Sequence, residues 1–181
     1  MKVTPLRIPD VLLIEPVVYT DPRGYFFESF NRKRFEAAVG RTVEFVQDNQ
    51  SRSSRNVLRG LHYQIERPQA KLVRVLTGEI FDVAVDIRRS SPTFGQWVAT
   101  RLSAENRSQI WIPEGFAHGF LALSEVAEVF YKTNDYRAAE FERTIVWNDE
   151  TLAIDWPNEA APTTSEKDGS APAFADAAVY R

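Results

Sequence analysis

Apolar and polar residues alternate in short runs along most of this chain, and few of the runs are long enough for a helix. Between 81 and 87, Phe81, Val83, Val85 and Ile87 alternate with Asp82, Ala84 and Asp86, the period of two that marks a strand with two distinct faces. Extended runs also cover 25–30, 43–50, 57–65, 71–76, 79–88, 97–102, 110–112, 119–123 and 126–133. The first stretch, 3–19, reads as extended through Leu6 and Ile8, then 11–14 and 17–19. Pro5, Pro9 and Pro16 interrupt it, and proline cannot donate to a ladder, so these strands are short or lie at an edge. Asp21-Pro22-Arg23-Gly24 forms a turn by composition. Thr77-Gly78 joins 71–76 to 79–88 in what reads as the clearest hairpin of the chain. Ser124-Glu125 makes a tight turn before the last strand. Helix is scarce. Asn31 as N-cap, Phe35 and Val39 four apart and Gly40 as a stop predict a short helix over 32–39. In the tail, 148–154 reads as a helical turn closed by Asp155-Trp156-Pro157, and 171–180 as a weak helix. Many short strands with turns between them predict an all-β sandwich or barrel. No repeat, linker or low-complexity run divides residues 1–181, which predicts a single domain.

Composition narrows the function. Apolar residues make up 44% and charged residues 26%, with a formal net charge of −3. That balance gives no global pull toward nucleic acid. The chain has no cysteine, which excludes disulfides and thiolate metal sites. Residues 1–10 hold charges and prolines rather than the apolar run of a signal peptide, and no window approaches the roughly 20 apolar residues of a membrane span. These features predict a soluble cytoplasmic protein.

The chemistry centres on Arg59-Gly60-Leu61-His62-Tyr63-Gln64, which carries one of only two histidines. Lys71 follows closely. A histidine near two cations in a β protein suggests proton abstraction from a molecule that carries negative charge. His62 and Gln64 share a strand face that Arg59 lacks, so Gly60 is predicted to mark a bulge if Arg59 is to reach the same site. Two segments, Gly60 to Gly78 and Pro113 to Phe120, resemble the two motifs of the cupin barrel. A metal-binding cupin needs a second histidine two positions after the first and a glutamate beyond it. This chain has Gln64, then Pro68 and Gln69. His62 and His118 alone leave an ion under-ligated, so no metal is expected and His62 is free to act as a base.

Asp21-Pro22-Arg23-Gly24-Tyr25-Phe26-Phe27-Glu28, Gln47-Asp48-Asn49, Arg59 to Gln64, Lys71-Leu72-Val73-Arg74-Val75, Phe94-Gly95, His118-Gly119-Phe120, Tyr131-Lys132 and Ser165-Glu166-Lys167-Asp168 occur in one order. Together, from about Leu6 to Asp168, they resemble the dTDP-4-dehydrorhamnose 3,5-epimerases. The resemblance implies a cupin-type antiparallel β-barrel (jelly roll) and a cofactor-independent isomerase acting on a dTDP-4-keto-6-deoxyhexose. It implies His62 as base, Asp168 as its carboxylate partner, Lys71 as the cation at the enolate oxygen and Tyr131 as the acid on the opposite face. Arg23 and Arg59 match diphosphate contacts. Glu28, Gln47, Asn49, His118, Glu142 and Lys167 match further substrate-binding positions, and Phe26 a position near the nucleotide. It also implies a homodimer in which the segment with Arg23 and Glu28 serves the neighbouring subunit's site. One departure stands out. Arg137 occupies the position where family members often place an aromatic that stacks on thymine, a role a flat guanidinium can also fill.

The residues leave open an epimerase that inverts only C3 or only C5, and a non-catalytic nucleotide-sugar-binding protein on the same barrel.

Overall fold

The computed structural model describes residues 1–158 and 160–181. Its strands are β1 (Lys2–Pro5), β2 (Leu12–Glu15), β3 (Val18–Asp21), β4 (Gly24–Phe27), β5 (Gln47–Ser54), β6 (Leu58–Gln64), β7 (Lys71–Thr77), β8 (Glu79–Asp86), β9 (Trp97–Ser103), β10 (Gln109–Ile112), β11 (Phe116–Ala122), β12 (Val126–Thr133) and β13 (Glu142–Thr144). Two short helices, α1 (Arg32–Val39) and α2 (Glu166–Gly169), complete the regular structure with two single turns of 3-10 helix.

The strands form two antiparallel sheets and a separate hairpin. One sheet runs β1-β2-β10-β7-β12-β5, the other β13-β6-β11-β8-β9, and among the described residues β3 pairs only with β4. The expected all-β, cupin-type jelly roll is what the chain adopts. Alternation along the strands explains why the sheets close on each other. Val73 and Val75 from β7, Ala127 and Val129 from β12, Ile80 and Ala84 from β8 and Phe120 from β11 fill one buried cluster. The opposite face of β8 presents Val83 and Val85, with Ile87 just past its end, to a second cluster, which the C-terminal tail covers with Leu152, Trp156 and Tyr180. A third cluster, on the outside of the six-stranded sheet, packs Phe35 of α1 and Val43 against Leu72 and Trp111. Burial on both faces is why β8 and β11 are almost wholly apolar or paired.

Helix α1 starts and stops where its caps dictate. The Asn31 side chain accepts from Arg34 N–H, and Gly40 closes the helix in a left-handed conformation at φ 73. Four expectations fail. Residues 71–88 are not a hairpin: β7 pairs with β10 and β12, and β8 with β11 and β9, in the opposite sheet. Gly78, at φ 77, turns the chain from one sheet to the other, with Val126 O and Ser124 Oγ packed where a side chain would stand. A sheet-crossing corner and a hairpin turn look alike in local sequence. The first strand is Lys2–Pro5, and Leu6 to Val11 is a turn closed by Leu6 N–H on Val11 O. The fifth strand starts at Gln47, because Val43 turns into the third core cluster instead of a ladder. The tail over 171–180 has only one 3-10 turn, Phe174–Asp176. It is held instead by Tyr180 N–H on Ile87 O and by the Tyr180 hydroxyl, which donates to Gln64 O. The expected turn at 148–154 is present, closed by Ala153 N–H on Asp149 O at 2.9 Å.

Candidate active site

A cavity of about 610 Å³ opens between the two sheets. His62 enters from β6, His118 from β11, and Lys71 and Tyr131 from β7 and β12 of the facing sheet.

The approach of His62 depends on a break in register. Opposite β11, His62 pairs with His118 but Arg59 pairs with Phe120, so β6 carries one extra residue between them. The bulge expected at Gly60 is therefore real, and it lets Arg59 and His62 serve one cavity. Gly60 sits at φ 132, and a Cβ there would lie 2.5 Å from Gly119 Cα. Only glycine fits such a backbone against such a neighbour.

His62 is held by Asp168. Helix α2 is capped by Ser165, whose hydroxyl accepts from Asp168 N–H at 3.1 Å. This places Asp168 Oδ1 2.6 Å from His62 Nε2, while Oδ2 accepts from Gly60 N–H at 3.3 Å. Burial alone would push the Asp168 carboxyl up. The hydrogen bond and charge of His62, with the Gly60 N–H, outweigh burial and hold it below its ordinary value. A carboxylate on Nε2 fixes the proton there, which leaves Nδ1 of the neutral ring with its lone pair.

Lys71 is buried, and its ammonium donates to His62 O at 3.4 Å. Burial lowers its pKa to about 8, against the pull of the Asp82 and Glu142 carboxylates. Tyr131 shifts the other way. Burial, and then the Glu142 charge, raise its pKa, so the phenol keeps its proton at neutral pH.

The rim is a polar network. Gln47 Nε2 donates to Asn49 Oδ1 at 2.8 Å, and Gln47 Oε1 accepts from Arg137 N–H at 3.0 Å. Glu142 takes two bonds from the Arg137 guanidinium, at 2.6 and 3.2 Å, and one from Lys167 at 3.1 Å. The Arg137 hydrogen bond leads in holding the Glu142 carboxyl at about 2. Arg59 donates from Nε to Ser53 Oγ at 3.0 Å.

Eleven predicted residues thus share one cavity: His62, Asp168, Lys71, Tyr131, Gln47, Asn49, Arg59, His118, Arg137, Glu142 and Lys167. Arg23, Phe26 and Glu28 do not line it. Arg23 stands exposed at the tip of the β3–β4 hairpin, paired with Asp21 at 2.5 Å, and Glu28 pairs with Arg34 at 3.3 Å. Phe26 is 71% exposed. Among the described residues, no group of three or more His, Cys, Asp or Glu side chains is placed to hold a metal ion.

Residues 5–176 match the family model described as dTDP-4-dehydrorhamnose 3,5-epimerase. The chain belongs to this epimerase family. The enzyme of that name from Pseudomonas aeruginosa is 66% identical over 180 residues, covering 99% of each chain. The crystal structure of dTDP-6-deoxy-D-glucose-3,5-epimerase from Legionella pneumophila, in complex with dTDP-4-keto-L-rhamnose, superposes with a TM-score of 0.97 at 51% identity, covering 99% of this chain and 97% of that one. A 3'-monoepimerase from Streptomyces bikiniensis, in complex with dTDP-quinovose, is more distant: 35% identity, TM-score 0.89, covering 94% and 87%.

Two residues of the site carry little functional signal in the sequence. Gln64 registered only as an absent metal ligand. In the structure it is a staple: Nε2 donates to Arg67 O at 2.8 Å and Oε1 accepts from Ala138 N–H at 2.7 Å, fixing the segment that carries Arg137. Asp82 was one polar member of an alternating strand. It is fully buried and bonded to His118. The available signal was an acidic residue on the strand face that also carries Ala84, but periodicity does not say which face is inside.

Proposed function

We infer that this chain is an isomerase that inverts C3 and C5 of dTDP-4-keto-6-deoxyglucose to give dTDP-4-keto-rhamnose. The observation that carries the reading is that His62 and Tyr131 approach one cavity from opposite sheets, and that the buried Lys71 lines the same cavity with its ammonium on His62 O. The hydrogens at C3 and C5 are both α to the C4 ketone. His62 takes one as a proton, the electron pair moves into the enolate, and negative charge develops on the C4 oxygen, where the Lys71 ammonium stabilises it. Tyr131 returns a proton to the opposite face of the same carbon, which inverts it, and solvent resets the imidazolium and the phenolate. Asp168 stabilises the imidazolium between these steps. The same groups then act at the second carbon.

Arg59 is the diphosphate cation within this chain, and a guanidinium suits bidentate phosphate binding. Gln47, Asn49, His118, Glu142 and Lys167 bind the sugar nucleotide, and Arg137 lies against the base through its guanidinium plane. Arg23, Phe26 and Glu28 act in a neighbouring subunit's cavity, so the working unit is a homodimer. Support comes from the β3–β4 hairpin, which among the described residues pairs with no other strand and exposes Tyr19, Tyr25 and Phe26 at 64%, 59% and 71%. Such an apolar, unpaired hairpin suits a partner surface. The two sheets share one core cluster, and α1 and the C-terminal tail pack against their outer faces, which supports a single domain. No helix of the described residues is long and apolar enough to cross a membrane, and a nucleotide-sugar substrate suits the cytoplasm.

The test is incubation with dTDP-4-keto-6-deoxyglucose in deuterium oxide. Deuterium is expected at C3 and at C5. Exchange at one carbon only would assign a mono-epimerase, and no exchange from folded protein would reject the reading. For the dimer, mixing R23A and H62A chains should restore activity that neither has alone, because one hybrid cavity regains both groups.

A further inference from the structure

The chain has two histidines, and they face each other. His62 on β6 and His118 on β11 are direct partners across one rung of the ladder, so their side chains leave the sheet on the same face. Each ring is tied through Nε2 to a buried aspartate. Asp168 holds His62. Asp82 holds His118, with Oδ1 at 3.0 Å and Oδ2 at 2.9 Å. Asp82 is fully buried, and no other side chain among the described residues gives it a hydrogen bond. On β11, His118 is paired with Ala84, so Asp82 is its diagonal neighbour on the same face of β8. His118 lines the cavity, and its Nδ1 has no hydrogen-bond partner among the described residues.

A fully buried carboxylate is costly unless a cation or donor compensates it. The His118 ring does so here, and the buried Lys71 ammonium is bonded to the backbone of His62, the direct partner of His118, where the Asp82 charge acts on it. We propose that Asp82 is a positioning residue of the epimerase reaction: it fixes the His118 ring with Nδ1 toward the substrate and supplies the fixed negative charge that keeps Lys71 an ammonium ion. This rests on the proposed reaction. The titratable and charged groups of the cavity around Lys71 are Arg59, His62 and Tyr63 from β6, Asp82 from β8, His118 from β11, Tyr131 from β12, Arg137 from the segment before β13, Glu142 and Arg143 from β13, and Lys167 and Asp168 from α2. Of these, Asp82 and Glu142 are the carboxylates that favour the charged form of Lys71.

The experiment is the pH profile of kcat with dTDP-4-keto-6-deoxyglucose for wild type, D82N and D82E. An asparagine keeps an acceptor for His118 Nε2–H but removes the charge. D82N is expected to move the alkaline limb about one pH unit lower, within the range an opposite charge shifts a neighbour. At a fixed pH above that limb, turnover should then be roughly tenfold lower than in wild type. D82E should keep the limb where wild type has it. A D82N limb that coincides with wild type would overturn the proposal, since a structural residue alone moves kcat without moving the limb. If D82N does not fold, wild type with 15N-labelled histidine decides. With two imidazoles, the His118 signals are separable, and the Nε2–H tautomer is expected. An Nδ1–H tautomer would overturn the proposal. The tautomer is read without turnover, so its outcome is distinct from a failure of the reaction itself.

Discussion

His62 Nε2 and Asp168 Oδ1 lie 2.6 Å apart although 106 positions separate them in the chain. The contact joins a strand of the five-stranded sheet to a four-residue helix held in place by its own serine cap. His62 is half-exposed to the cavity, while the Asp168 side chain is 4% exposed. His62 is thus the more open of the two to the cavity, while among the described residues the Asp168 carboxylate bonds to the His62 ring and the Gly60 N–H.

His62→Asn should lower kcat by roughly 10²–10⁴-fold, the usual worth of one proton-transfer residue. Binding of dTDP should change little, because the nucleotide does not need the base. Turnover and calorimetric titration with dTDP would check both halves, and a variant with near wild-type kcat would remove His62 as the base.

Asp168 also makes an acid-stability prediction. Its folded pKa lies below the ordinary 3.8, so between the two values the unfolded chain binds more protons. The stabilisation is complete above pH 3.8 and is lost as pH falls through the folded value. Urea midpoints measured from neutral pH down through the ordinary value of 3.8 into stronger acid should fall more steeply for wild type than for D168N.

Lys71 predicts the opposite trade. Its pKa falls from 10.5 to about 8 on burial, so below about pH 8 the folded state carries a charge that burial penalises. The penalty lifts between about 8 and 10.5, where the unfolded chain holds more protons. Lys71→Met should therefore be inactive yet more stable at neutral pH, by about 3 kcal/mol at about 1.36 kcal/mol for each tenfold change in proton affinity. The gain should shrink as pH rises. Denaturant melts at neutral and alkaline pH check the sign, and a K71M protein less stable at neutral pH would contradict it.

Gly60→Ala tests the bulge. The added Cβ meets Gly119 Cα at 2.5 Å and His118 O at 2.9 Å, both backbone atoms, at φ 132. A destabilisation of about 1–3 kcal/mol follows from overpacking and backbone strain. Arg59 should also shift from the cavity, which would raise KM more than it lowers kcat. Equilibrium unfolding and steady-state kinetics read the two effects separately.

Much of this protein is written in short-range pattern. Alternation along 126–133 and 57–65, the Asn31 and Gly40 caps and the Gly60 bulge are each set by a residue and its immediate neighbours, because strand faces, helix ends and positive φ are local properties. The ordered motifs also set the family. What the sequence could not decide is which strands pair. Gly78 turns the chain between sheets, not within one, and only the packing of Val126 and Ser124 against it makes that choice. Pairing then determines which strand faces are inside, and so turns Asp82 from one polar residue of an alternating strand into the buried partner of His118. It likewise turns Gln64 from an absent ligand into the staple of the Arg137 segment. The site is non-local for the same physical reason: the proposed base, carboxylate, cation and acid come from β6, α2, β7 and β12, and only closure of the two sheets over a common core brings them together.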